Sequence, residues 1–191
     1  MEFTINRDVL LQSISNAYGI IEKKSTLPIL SNILIEAKDS NIKITSTDLD
    51  IIYSEKINSE EIKREGSTTT SASILHDILR KIEPNSKVEL SLQDSNKLKI
   101  LSGNSKFNLL CISSENFPIV DDKTNDKILE VSSGKLLKLL NKTKISISND
   151  ETRHYLNGIY LHKAKLENQS FLCGVSTDSH RLSSSSLEID S

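Results

Sequence analysis

Three neighbouring residues, Asp178-Ser179-His180, hold the types of a Ser-His-Asp relay. Members of such a relay must meet in space, and consecutive residues of an extended chain point to opposite faces. No G-x-S-x-G elbow accompanies them. Asp48 and Asp50 lack the spacing of a metal-binding loop. No phosphate-binding loop or dinucleotide fingerprint is present. Cys111 and Cys173 match no metal or redox spacing and read as small strand residues in a reducing cytoplasm. The expectation is a protein that catalyses nothing and holds no metal or cofactor.

A second chemistry is charge. Lys135, Lys138 and Lys142 recur at i, i+3 and i+7, and residues 127–145 add Lys127 and Lys144 against Glu130 alone. A solvated helix face is the plain alternative. The chain's formal net charge is -2, so any contact with nucleic acid must come from such a local patch.

The elements that must position these residues form a pattern seen three times. A short strand precedes a capped amphipathic helix, and alternating strands follow. The first unit opens with Phe3-Thr4-Ile5. Asn6 can cap a helix carrying Val9, Leu10, Ile14 and Ala17 on one face, with Gly19 as a stop. Strands are expected near Leu30–Glu36, Ile42–Thr47 and Asp50–Ile57, with Asp39-Ser40-Asn41 as a turn. In the second unit Ser73 or Ser71 caps a helix with Ile74, Leu75, Ile78, Leu79 and Ile82 on one face, ended by Pro84 and Asn85. Strands at Val88–Leu92, Leu98–Ile100 and Lys106–Ile112 follow, the first two joined by Asp94-Ser95-Asn96. The third unit begins near Ile128–Val131. Ser132 or Ser133 caps a helix with Leu136, Leu137, Leu139 and Leu140, and strands are expected near Tyr155–His162, Phe171–Ser176 and Arg181–Ile189.

These units predict an α+β chain of tandem β-α-β-β-β repeats, an antiparallel sheet with helices on one face. Two repeats side by side complete a domain over residues 1–120. Polar residues 121–127 read as a linker, and residues 128–191 as half of a second domain. That half is expected to be poorly covered unless a partner or a second copy completes it. No apolar run approaches the ~20 residues of a membrane span, and Met1-Glu2-Phe3-Thr4 lacks the features of a secretory signal. A cytoplasmic protein without a membrane partner is expected. Hydrophobic residues at 36% and charged residues at 26% fit a globular chain with an aliphatic core, and there is no Trp.

Several segments, in order, resemble the bacterial beta clamp, the beta subunit of DNA polymerase III. They are Phe3–Arg7 with Leu10-Leu11, Thr26–Asn32, Thr47-Asp48-Leu49, Phe117-Pro118, Arg153–Gly158 and Thr177–Leu182. The resemblance implies a DNA clamp fold and a sliding, non-catalytic processivity factor. Its implied partners are double-stranded DNA, the replicative polymerase and the clamp loader, and two chains of the family close into a ring. It covers the first family domain and about half of the second. The family's DNA contacts map onto Lys24, Ser73, Asp150, His154 and Tyr155, beside the helix lysines. Ser73 stands where a basic residue is frequent, Asp150 would repel phosphate, and His154 replaces a tyrosine. The family's peptide pocket maps onto Leu156, Thr177, Ser179, His180, Arg181 and Leu182, with Ser179 in place of a glycine. Phe107 and Leu109 map onto the subunit interface. Two alternatives stay open. One is a fragment without clamp activity, which pairs with a separate C-terminal piece or an intact clamp. The other is a binding module that uses the exposed strands of the third unit.

Overall fold

The computed structural model describes residues 1–21, 27–93, 96–118 and 129–189. Lys24, the linker expected at 121–127, and Asp94 and Ser95 of the second turn lie outside them. The chain divides into two compact units, Met1–Asp121 and Asp122–Ser191.

The first unit runs β1 (Glu2–Asn6), α1 (Arg7–Tyr18), a 3-10 turn (Pro28–Ser31), β2 (Asn32–Lys38), β3 (Asn41–Thr47) and β4 (Ile52–Asn58). It continues with β5 (Glu61–Arg64), β6 (Gly66–Ser71), α2 (Ala72–Lys81), β7 (Lys87–Gln93), β8 (Lys97–Ser102) and β9 (Ser105–Ile112). The strand order is β4-β3-β2-β6-β9-β8-β7-β1-β5, and every pairing is antiparallel. The strand before each helix leaves its own repeat: β1 pairs with β7, and β6 with β2. A four-stranded group, β4-β3-β2-β6, and a five-stranded group, β9-β8-β7-β1-β5, thus interlock, and β6 meets β9 through only two residue pairs.

Local chemistry sets the helix ends. The Asn6 side chain accepts the Asp8 N–H at 2.8 Å, meeting one of the unpaired donors of the first turn of α1. Arg7 is buried. Its Nε donates to Leu79 O at 2.6 Å and its Nη2 to Arg80 O at 3.1 Å, satisfying carbonyls at the end of α2. Tyr18 stacks on His76 with ring centroids 5.1 Å apart, a further contact between the two helices. The Asp39-Ser40 turn has φ 49° and 65°, the paired left-handed residues that suit a tight hairpin. The core joins both repeats through Phe3, Ile5, Leu10, Ile14, Ile33, Ile35, Leu75, Leu79, Val88 and Leu90.

Several expectations need correction. Val9 is 44% exposed and Ile74 54% exposed, because the buried stripes of α1 and α2 are narrower than the apolar spacing suggests. Ser71, not Ser73, is the cap of α2. Strand β5 has no counterpart among the expected elements, and β6 is the short strand that the repeat places before α2, expected without residue bounds. Thr68, Thr69 and Thr70 of β6 are buried, and their polar side chains hide the strand in the sequence. The hydroxyls of Thr69 and Thr70 donate to Ile112 O and Leu110 O at 2.8 and 3.3 Å.

The second unit contains α3 (Ser133–Thr143), 3-10 turns at Lys144–Ser146 and Glu151–Leu156, β10 (Tyr160–Leu166), β11 (Gln169–Thr177) and β12 (Leu182–Ile189). Its sheet is β10-β11-β12, and Leu139, Leu187 and Ile189 form a small core under α3. The Ser176 hydroxyl donates to Thr143 O and ties β11 to the end of α3. Residues 129–132 are not a strand; among the described residues nothing pairs with them as β7 pairs with β1. The strand expected from Tyr155 starts at Tyr160. Its first residues are in a 3-10 turn, where the Asp150 carboxylate accepts the Thr152 N–H at 3.0 Å.

Candidate functional site

Helix α3 presents Lys135, Lys138 and Lys142 to solvent. At 3.6 residues per turn the three fall within about 60° of one another, on the flank away from Leu136 and Leu140. The equivalent flanks of α1 and α2 carry Val9, Gln12 and Asn16, and Ile74, Asp77 and Lys81. A basic stripe is therefore a property of α3 and not of all three helices. Ser73, in the first turn of α2, is exposed.

The 3-10 turn Glu151–Leu156 carries the next group. Tyr155 is 74% exposed, and His154 packs edge-on against it with centroids 6.1 Å apart. Asp150 caps this turn. The Thr152 hydroxyl and N–H, and then the Arg153 guanidinium, hold its carboxyl below the usual carboxylate range. Arg153 Nε lies 2.8 Å from Asp150 Oδ2, so the carboxylate does not stand as a lone negative charge.

Leu156 and Thr177 come together. They line a groove of about 550 Å³ with His154, Tyr155, Tyr160 and Val175. Ser179, His180, Arg181 and Leu182 do not line it; they form the exposed turn from β11 to β12. Side chains ahead of the turn shape it. Thr177 Oγ1 donates to Arg181 O at 2.7 Å and accepts the Ser179 N–H at 3.1 Å. Asp178 Oδ1 accepts the His180 and Arg181 N–H groups, each at 3.0 Å. Ser179 sits at φ 81°. The first repeat builds the same turn: Thr47 Oγ1 bonds Ile51 O, Asp48 Oδ1 accepts the Asp50 and Ile51 N–H groups, and Leu49 has φ 82°. The Asp178-Ser179-His180 triplet is thus the scaffold of a turn. Its serine Oγ accepts from Arg153 Nη1 at 3.1 Å.

The N–H donors of Arg181 and His180, in that order, bring the Asp178 carboxyl down to about 2 from 3.8. A carboxyl depressed on folding stabilises the fold above pH 3.8, and that contribution is lost as pH falls through about 2. Melting temperature followed between those values is expected to drop more in the native chain than in Asp178→Asn. Parallel acid limbs in the two proteins would contradict this role.

In the part of β9 that precedes its two pairs with β6, Leu109 is buried at 5% exposed and Phe107 is half-buried against the core. Leu110 is 77% exposed beside the 54% exposed Ile74, and a groove of about 590 Å³ holds both. Sequence reasoning passes over Leu110; the Leu109-Leu110 doublet, a break in the strand's alternation, is the available signal. Among the described residues no cluster of three His, Cys, Asp or Glu could hold a metal, and no helix is long and apolar enough to cross a membrane.

Comparison with known families decides the relationship. The model of the DNA polymerase III beta subunit N-terminal domain matches residues 1–121, and that of its central domain matches residues 130–191. The chain belongs to the DNA polymerase III beta subunit family. It is 36% identical over 184 residues to the beta sliding clamp of Caulobacter vibrioides, covering 95% of this chain and 49% of that one. It is 37% identical over 183 residues to the beta sliding clamp of Rickettsia felis, covering 96% and 47%. Among solved structures, the C. crescentus beta sliding clamp superposes with a TM-score of 0.92 at 33% identity, over 98% of this chain and 50% of that one. The Pseudomonas aeruginosa sliding clamp, solved with griselimycin bound, gives 0.92 at 29% identity over 100% and 50%. The chain therefore spans about half the length of the beta subunits it matches. Its antiparallel sheets and few helices are those of the clamp fold, and these relatives are named as clamps, not as enzymes.

Proposed function

We propose that this chain serves as part of a cytoplasmic sliding clamp, which surrounds duplex DNA and keeps the replicative polymerase on it. The observation that carries this reading is α3, with Lys135, Lys138 and Lys142 exposed on one flank of a helix that buries Leu139 and Thr143. A sliding protein needs attraction to phosphates without hydrogen bonds to base edges, so that movement along the duplex costs little. Lysines on a regular helix meet that need. Lys24, Ser73, Asp150, His154 and Tyr155 are the proposed loop contacts to DNA. The groove at Leu156 and Thr177, with Ser179, His180, Arg181 and Leu182 on the adjoining turn, is the proposed seat for apolar side chains of polymerase and clamp-loader peptides. Phe107 and Leu109 are proposed for the joint with a second subunit.

DNA affinity measured against salt tests the reading. The expected result is weak binding with a clear negative slope in the log–log plot. Replacing Lys135, Lys138 and Lys142 together by alanine is expected to shrink that slope by about 2 to 3, near 0.9 for each phosphate no longer neutralised. Tight binding that is equal at low and high salt would refute it. Retention on circular but not on linear DNA would report ring closure.

A further inference from the structure

One face of the β10-β11-β12 sheet is turned away from its helix. Gly174 marks the helix side, since a Cβ there would meet Leu139 of α3. Successive residues of a strand alternate sides, so Cys173 and Val175 point the other way. Strand register sets their neighbours: His162 of β10 faces Cys173, and Cys173 faces Ser186 of β12. Eleven positions separate the histidine from the cysteine (173 less 162), so no spacing motif announces the pair.

The first unit has the same positions. The Thr177-Asp178 turn repeats the Thr47-Asp48 turn, and four residues before each threonine stand Cys173 and Lys43. Lys43 faces Glu36 as Cys173 faces His162. Lys43 Nζ lies 3.8 Å from Glu36 Oε2, so side chains in this register meet across the strands. They stay open to solvent, 44% and 37% exposed, in a unit where two repeats are already joined. The second unit replaces that ion pair with a thiol and an imidazole, which both bind soft metals.

The surroundings select the ion. The His162 ring stacks on Tyr160, with centroids 5.0 Å apart and planes 22° from parallel, which limits its rotation. Its Nδ1 is buried and has no hydrogen-bond partner among the described residues, a rare state for such an atom. The neighbours on this face, Tyr160, Ala164, Phe171, Val175 and Ser186, are uncharged. Among the described residues no third His, Cys, Asp or Glu completes a metal-binding cluster, so a hard divalent cation finds too few ligands. A thiolate and a neutral imidazole together carry one negative charge, which a monovalent soft ion cancels. A neutral complex suits apolar surroundings. Zn2+ would keep a positive charge and leave two of its four positions to water.

We infer that His162 and Cys173 bind one monovalent copper ion on the outward face of β10 and β11. Cys173 Sγ gives its proton to solvent and forms the S–Cu bond, His162 Nδ1 supplies the second bond, and no electron is transferred. Facing residues have Cβ atoms about 4.5–5.5 Å apart, a span that one ion between a sulfur and a nitrogen can bridge. The inference stands independently of DNA binding.

Titration of the 191-residue chain with Cu+, supplied as its bicinchoninate complex without oxygen, tests it. Cys111→Ser in every sample removes the other thiol. The expected uptake is one Cu+ per chain. Loss of even an outer-shell partner of a metal ligand costs about 10–100-fold in affinity, so loss of a ligand is expected to cost at least about tenfold. Cys173→Ser, His162→Phe and His162→Gln are each expected to show that loss. These side chains are partly exposed, and melting curves without metal are expected to match the parent's. X-ray absorption at the copper edge is expected to show one sulfur and one nitrogen. Zn2+ is expected to bind at least about tenfold more weakly. Absence of uptake overturns the inference, as does uptake that both histidine variants retain in full. A shell of sulfur alone, or Zn2+ bound as tightly as Cu+, also overturns it.

Discussion

Leu139→Ala is expected to unfold the unit around α3 and leave residues 1–118 folded. Leu139 is 2% exposed and is one of the three residues at the centre of that small core, with Leu187 and Ile189. It also fills the space left by the missing side chain of Gly174, where a Cβ would lie 2.5 Å from Leu139 Cδ2. Truncating such a leucine costs about 2–5 kcal/mol. A unit with so little buried apolar surface has no comparable reserve. Hydrogen exchange read by mass spectrometry is the direct measurement. Peptides from β11 and β12 are expected to lose protection, while those from β1 and β7 keep theirs. Uniform loss along the chain, or none, would show that the units do not unfold separately.

Arg7→Met is expected to destabilise the first unit by about 3 kcal/mol, since charge-assisted hydrogen bonds contribute about 1.5–3 kcal/mol each. The guanidinium serves the carbonyls of Leu79 and Arg80 and contacts Asp8 Oδ1 at 2.6 Å. Asp8 Oδ2 in turn accepts the Asn85 N–H at 2.7 Å. Methionine keeps much of the buried stem and strands the carbonyls. Lysine is expected to rescue little, because an ammonium lacks the planar fork. The urea midpoint of the first unit reads the loss. A second readout is the Asp8 carboxyl, held low chiefly by its bond from Arg7 and then by the Asn85 N–H; it is expected to rise in the variant. An unchanged midpoint would remove Arg7 from this role.

Much of this architecture is legible in the residues. The Asn6 cap, the Asp39-Ser40 turn and the alternation from Val88 to Leu92 are local signals, and the chain follows them. What fails is decided at a distance. Thr68, Thr69 and Thr70 read as polar, yet they are buried because hydroxyls can bond carbonyls of β9. Tyr155 and Leu156 read as the start of a strand, yet Asp150 and Thr152 turn the chain there. The exchange of β1 and β6 leaves no mark on periodicity, since a strand has the same pattern whichever neighbour it joins. Among the candidate site residues, motif places Leu156 beside Thr177, but only the fold separates them from the turn at 179–182. The outward face of Leu110 depends on strand direction, which composition does not encode.

The partnership of β1 with β5 and β7 has a bearing on synthesis. Strand β1 leaves the ribosome before its partners and cannot settle until residues 61–64 and 87–91 have followed it. At ~5–20 residues per second, that wait is roughly 4–17 s. For that time Phe3 and Ile5, both destined for the interior, travel in a nascent polypeptide with no companion to shield them. A chaperone at the exit tunnel would meet Phe3 and Ile5 before their partners exist.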